Sequence, residues 1–113
     1  ADAYLSEWPG DDAVMRACEA AIERSGMTVV ACTHKRFAPQ GLTAVWILQE
    51  SHFTLHTYPE HNYLSVDCYT CGDEGRPAEA VRSLVAALPA SASKIQGMER
   101  GFDPGPNFAA SAV

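Results

Sequence analysis

The run LTAVWIL-QESH-FTLHTYPE, from Leu42 to Glu60, decides how this chain is read. Residues 42–48 are almost continuously apolar and rich in β-branched side chains, the pattern of a buried central strand. Gln49, Glu50, Ser51 and His52 interrupt that pattern. Phe53 and Leu55 then alternate with Thr54 and His56 until Pro59, which reads as a second strand, over 53–58, ended by a residue that cannot donate to a ladder. Strands that follow one another with no helix between them predict an antiparallel sheet. The same run places a serine, two carboxylates and two histidines on rigid sheet, where their directions are fixed, and His61 follows at once.

Outward from this run the chain alternates between the two hydrophobic periods. Upstream, 27–32 reads as a strand, His34-Lys35-Arg36 as a polar stretch and 37–41 as a turn. Val14, Ala17, Cys18, Ala21 and Ile22 recur at helical spacing over 13–24, after a turn at 8–12 and before a stop at Ser25-Gly26. Residues 1–5 read as a short strand. Downstream, Leu64, Val66 and Cys68 alternate with Ser65, Asp67 and Tyr69 over 64–70. Pro77 opens a second helix whose apolar face carries Ala78, Val81, Leu84, Val85 and Leu88, and 91–98 reads as a last strand. The order β-α-β-β-β-β-α-β predicts an α+β two-layer sandwich, with two helices on one face of a largely antiparallel sheet. The open face of such a sheet suits pairing with another subunit. Residues 1–100 form one expected domain, and 101–113, rich in Gly, Pro and Ala, a tail or linker.

Composition narrows the functional classes. The chain has 113 residues, 47% of them apolar, enough for one real core. Its formal charge is −6 with eight Lys and Arg, so the concentrated basic surface that nucleic acid requires is missing. No apolar run approaches the ~20 residues of a membrane span, and no basic-then-apolar leader opens the chain. The expectation is a cytoplasmic protein with reduced thiols, bound to neither nucleic acid nor membrane. Cys68 and Cys71 have C-x-x-C spacing, but no second pair completes a zinc site, and on a strand the two would face opposite ways. No metal is expected.

The segments FAPQGLTAV (37–45), Glu50-Ser51-His52, His56-Thr57-Tyr58-Pro59-Glu60 and VDCYTCG (66–72) together closely resemble the small prokaryotic S-adenosylmethionine decarboxylase proenzymes. They occur in the family's order and at its spacing, most strongly over 27–88. The resemblance implies an enzyme that makes its own cofactor by cutting between Glu50 and Ser51. The Ser51 hydroxyl attacks the Glu50 carbonyl, and β-elimination from the ester leaves a pyruvoyl group at residue 51. A serine is required because its β-oxygen is first nucleophile and then leaving group. His56 matches the proton acceptor in processing. In the mature enzyme the pyruvoyl ketone forms a Schiff base with the substrate amine and acts as an electron sink. Cys71 matches the proton donor in decarboxylation, and Glu60 the residue that binds the ribose diol of the substrate. Thr43 would support processing through a hydrogen bond, and His52 is a candidate substrate-shell residue. The implied product, decarboxylated S-adenosylmethionine, is an aminopropyl donor for spermidine synthesis, and the implied active unit is a homodimer of processed protomers.

Taken singly, each of these residues has a plainer reading. Ser51 is an ordinary strand residue, His56 a surface or core histidine, Cys71 a small buried side chain and Glu60 a solvated loop charge. Their joint occurrence favours the chemical reading for Ser51, His56 and Cys71, and leaves the two balanced for Glu60, Thr43 and His52. Gln49 and Tyr58 depart from the family's usual residues, and the N-terminal segment lacks a clear match. Pyruvoyl relatives acting on arginine or ornithine therefore stay open as an alternative, as does an unprocessed, non-catalytic homologue.

Overall fold

The computed structural model describes residues 1–49, 51–70 and 77–98. Its elements are β1 (Asp2–Leu5), α1 (Asp11–Arg24), β2 (Val29–Arg36), β3 (Leu42–Leu48), β4 (Ser51–Tyr58), a 3-10 turn (Pro59–His61), β5 (Tyr63–Thr70), α2 (Pro77–Ala87) and β6 (Ala90–Lys94). The six strands make one sheet in the order β2-β3-β4-β5-β1-β6, and every neighbouring pair is antiparallel.

The pleat sorts side chains onto two faces. Leu42, Ala44, Trp46 and Leu48 of β3, Phe53 and Leu55 of β4, and Leu64 and Val66 of β5 are buried on one of them. Against these pack Val14, Cys18, Ala21 and Ile22 of α1 and Ala80, Val81 and Leu84 of α2, in a single core cluster. Trp46 and Phe53 meet edge to face with ring centroids 5.8 Å apart, the aromatic geometry that the ring quadrupole favours. Both helices therefore cover one face, as an α+β two-layer sandwich requires. α1 begins with Asp11 and Asp12 in its positive first turn. It ends where the Ser25 hydroxyl donates to the carbonyls of Ala21 and Ile22 and Gly26 takes a φ of +81°.

Three local expectations change. β3 is buried on one face only, because among the described residues no helix covers the other; Ile47 there is 49% exposed. β2 does not stop at residue 32 but runs through Lys35 and Arg36. As the outermost strand it is exposed along its whole length, so polar side chains continue it without desolvation cost. The last strand spans Ala90–Lys94, and 95–98 has no regular structure. The expected tail at 101–113 lies outside the described residues.

Candidate active site

Leu48 of β3 pairs with Ser51 of β4, so Gln49 and Glu50 alone link the two strands. The backbone N–H of Gln49 donates to the Thr28 carbonyl (3.2 Å), tying the link to the segment that precedes β2. The Ser51 hydroxyl donates to the carbonyl of Gln49 at 3.2 Å, which holds the oxygen over the turn. Glu50 lies outside the described residues, as does Cys71.

At the other end of β4 a second group of side chains assembles on the open face. Thr43 and His56 are directly paired across β3 and β4. Thr43 Oγ1 and His56 Nδ1 lie 3.0 Å apart in a half-buried setting. This hydrogen bond fixes the ring direction, and the hydroxyl can serve Nδ1 as donor or acceptor. A cavity of about 330 Å³ opens beside them, lined by Phe37, Gln40, Thr43, His56, Tyr58 and Glu60. Its size is that of a small-molecule cleft. Glu60 reaches it from the 3-10 turn, whose first residue is Pro59 and whose end is the left-handed Asn62. The sequence places Phe37 and Gln40 in a turn and in the FAPQGLTAV segment, with no site role of their own. Their nearness to Thr43, which the β2–β3 connection brings about, is the signal that could have found them.

His52 sits on the open face, two pleats from His56, and stacks on Tyr69 of β5 with ring centroids 5.5 Å apart. Both line a second cavity of about 350 Å³, with Thr54, Asp67, Cys68 and Met98. Burial pushes the Cys68 thiol up to about 11, so it stays protonated near neutrality. Among the described residues, no group of three or more His, Cys, Asp or Glu side chains could hold a metal ion, and no helix is long and apolar enough to cross a membrane.

The structure does not bring Ser51 and His56 together. They are five residues apart on one strand, which at the rise of an antiparallel strand is about 17 Å. The pleat also turns them to opposite faces: Ser51 shares a side with Phe53 and Leu55, His56 with His52 and Thr54. Proton transfer needs hydrogen-bond reach. The chain thus carries two half-sites, one at the β3–β4 link and one at the Thr43–His56 pair.

A family model for S-adenosylmethionine decarboxylase matches residues 10–101 of the chain. An S-adenosylmethionine decarboxylase proenzyme 2 from Halalkalibacterium halodurans is 42% identical over 81 residues, 72% of this chain and 64% of that protein. An S-adenosylmethionine decarboxylase proenzyme from Oceanobacillus iheyensis is 46% identical over 68 residues, 60% of this chain and 54% of the relative. The chain therefore spans between 54% and 64% of the length of these curated relatives. Among solved structures, the adenosylmethionine decarboxylase from Aquifex aeolicus superposes with a TM-score of 0.79 at 28% identity, covering 91% of this chain and 88% of that one.

Proposed function

The chain belongs to the S-adenosylmethionine decarboxylase family, and from that premise we propose that it is a self-processing, pyruvoyl-dependent decarboxylase of S-adenosylmethionine. The observation that carries self-processing is Ser51 itself, the first residue after a two-residue link, with its hydroxyl held over the turn. The Ser51 oxygen attacks the carbonyl carbon of Glu50. The C–N bond breaks, the ester forms, and the Ser51 nitrogen takes up a proton. A base removes the Ser51 Cα proton, the Cβ–O bond breaks, and Glu50 leaves as a carboxylate. Water then releases ammonia from residue 51 and leaves its ketone. Ser51 fits this role because it starts β4, where cutting the preceding bond leaves the ladder partners on both sides in place. The ketone supplies an electron sink for carbon–carbon cleavage.

His56 is the base in this reading, and the distance from Ser51 decides whose His56 it is. A histidine about 17 Å along the same strand cannot reach the Cα proton of its own Ser51. We therefore assign the acceptor to a second copy, its open face laid on this one, so that each site combines Ser51 of one copy with Thr43 and His56 of the other. The exposed Ile47 and Tyr58 on that face favour such an arrangement. Glu60, beside the Thr43–His56 pair, binds the ribose diol of the substrate, since its two carboxylate oxygens match two vicinal hydroxyls. Cys71 donates the proton to the substrate α carbon after CO₂ leaves, and His52 borders the reacting residue.

Intact-mass measurement of the purified protein tests the proposal. Two fragments divided before residue 51, the longer without a free amine, are expected; Ser51→Ala stays as one chain. CO₂ release is then measured from S-adenosylmethionine, arginine and ornithine side by side. An uncleaved, inactive wild type refutes self-processing, and release from arginine or ornithine alone refutes the substrate.

A further inference from the structure

β2 takes no part in the half-sites, yet it is an eight-residue strand at the outer edge of the sheet. An exposed edge is a template for further pairing. β2 carries two of the usual guards, an irregularity between Val29 and Ala31 and the charges of Lys35 and Arg36 at its far end; from Ala31 its register is regular, and residues 31–34 include no Lys, Arg, Asp or Glu. Its surface is partly apolar, with Val29 44% and Val30 66% exposed.

The charges around this edge are polarised. His34, Lys35 and Arg36 make its C-terminal end basic, and neither β2 nor β3 holds an acidic residue. At the other end a groove of about 330 Å³ is lined by Glu19, Ile22, Glu23, Val29, Cys32 and Trp46. Parallel self-pairing would set Lys35 and Arg36 against themselves. Antiparallel self-pairing sets the basic end of one copy along the acidic groove of the other. Arg36 is already engaged by Asp12 of α1, which keeps that end of the strand fixed.

We propose that β2 is a self-pairing edge, through which two copies join antiparallel about a two-fold axis at Thr33 and continue the sheet. Three constraints select the register. Opposed residues must share a face, since the axis stands perpendicular to the sheet and keeps both helix layers on one side. The pairing must also be symmetric within the regular part of the strand, which leaves centres on Thr33 and His34. A centre on His34 lays that side chain against its own counterpart, whereas one on Thr33 opposes Ala31 to Lys35 and Cys32 to His34 of the other copy. His34 then lies at the mouth of the groove that holds Glu19. The contact is closed, because each copy has one β2, and it is separate from the open face invoked for catalysis.

Native mass spectrometry or light scattering of the whole chain tests this. Cys32→Pro removes an outward-facing backbone donor beside the axis, since the odd-numbered residues 33, 35 and 37 direct theirs into β3, and is expected to halve the assembly mass while cleavage before residue 51 continues. Glu19→Arg, on the surface of α1, is expected to shift the population toward the smaller species, and adding His34→Glu to restore the larger one. A wild-type mass unchanged in a cleaving Cys32→Pro variant overturns the proposal. Should Cys32→Pro fail to fold, an unchanged mass in Glu19→Arg overturns it. Failure to cleave in the wild type bears on the catalytic proposal alone.

Discussion

Thr43 Oγ1 stands 3.0 Å from His56 Nδ1, across the β3–β4 ladder and on the face the helices leave open. The hydroxyl orients the imidazole and does no bond-making of its own. Thr43→Val removes the partner while keeping shape. A side-chain hydrogen bond of this kind contributes about 1 kcal/mol, so self-cleavage should slow by roughly fivefold to tenfold, with Thr43→Ser close to wild type. The time course of chain cleavage by gel or mass measures it. Equal rates for Thr43→Val and wild type would remove Thr43 from the processing machinery.

The separation of Ser51 from His56 gives a complementation test. Ser51→Ala and His56→Ala chains should each fail to cleave when alone. Co-expressed, a mixed pair holds one competent site, made from Ser51 of one chain and His56 of the other. With random two-fold pairing, cleavage should reach about a quarter of the wild-type extent. No cleavage in the mixture would return both residues to one chain.

Glu60 should matter for turnover and not for processing. Its carboxylate borders the cavity next to His56 but lies beyond the hairpin that holds the proposed cleavage point. Losing a charge-assisted hydrogen bond to a diol costs about 1.5–3 kcal/mol. Glu60→Gln should therefore raise KM roughly tenfold or more, with unchanged chain cleavage. Steady-state kinetics on fully cleaved protein reads this directly, and an unchanged KM would return Glu60 to the solvated-charge reading.

The thiols should report the fold through pH. Burial lifts Cys68 from 9.0 to about 11, so the folded chain favours its neutral form. That contribution to stability is fully present below about pH 9 and is lost as pH rises toward 11. Iodoacetamide at pH 8 should modify exposed Cys32 first, and Cys68 only slowly until urea unfolds the chain. Peptide mass mapping between pH 7 and 10 follows both sites. Cys68 reacting at its unfolded rate at pH 8 would contradict its burial.

Much of this architecture is legible in residue pattern alone, and the misses share one cause. Phe53, Leu55, Leu64 and Val66 announce their face through period-two alternation, and Val14, Cys18, Ala21 and Ile22 through helical spacing, because local geometry dictates both. How many layers cover a strand is not local. The run 42–48 reads as buried on both faces, yet only Leu42, Ala44, Trp46 and Leu48 reach the core. His34-Lys35-Arg36 reads as a break, yet continues β2, because an edge strand makes no demand for apolar side chains. The site shows the same limit. Motif spacing makes Ser51 and His56 candidates and leaves Thr43 balanced between a chemical and a plain role. It carries no information that residues five apart on a strand lie about 17 Å from each other, nor that Phe37 and Gln40 flank the cavity.

The two-residue link between β3 and β4 bears on assembly as well as chemistry. While intact, it makes the pairing of Leu42–Leu48 with Ser51–Tyr58 an intramolecular event at very short loop length, with little closure entropy to overcome. Under the proposed self-processing, cutting the bond before Ser51 leaves the same ladder and the core cluster beneath it to hold two separate polypeptides together. Refolding after denaturation would then become a bimolecular encounter, slower as the protein is diluted. The precursor would in this sense be a single-use scaffold: it folds once as one chain, and the proposed cut erases the connection that guided that event.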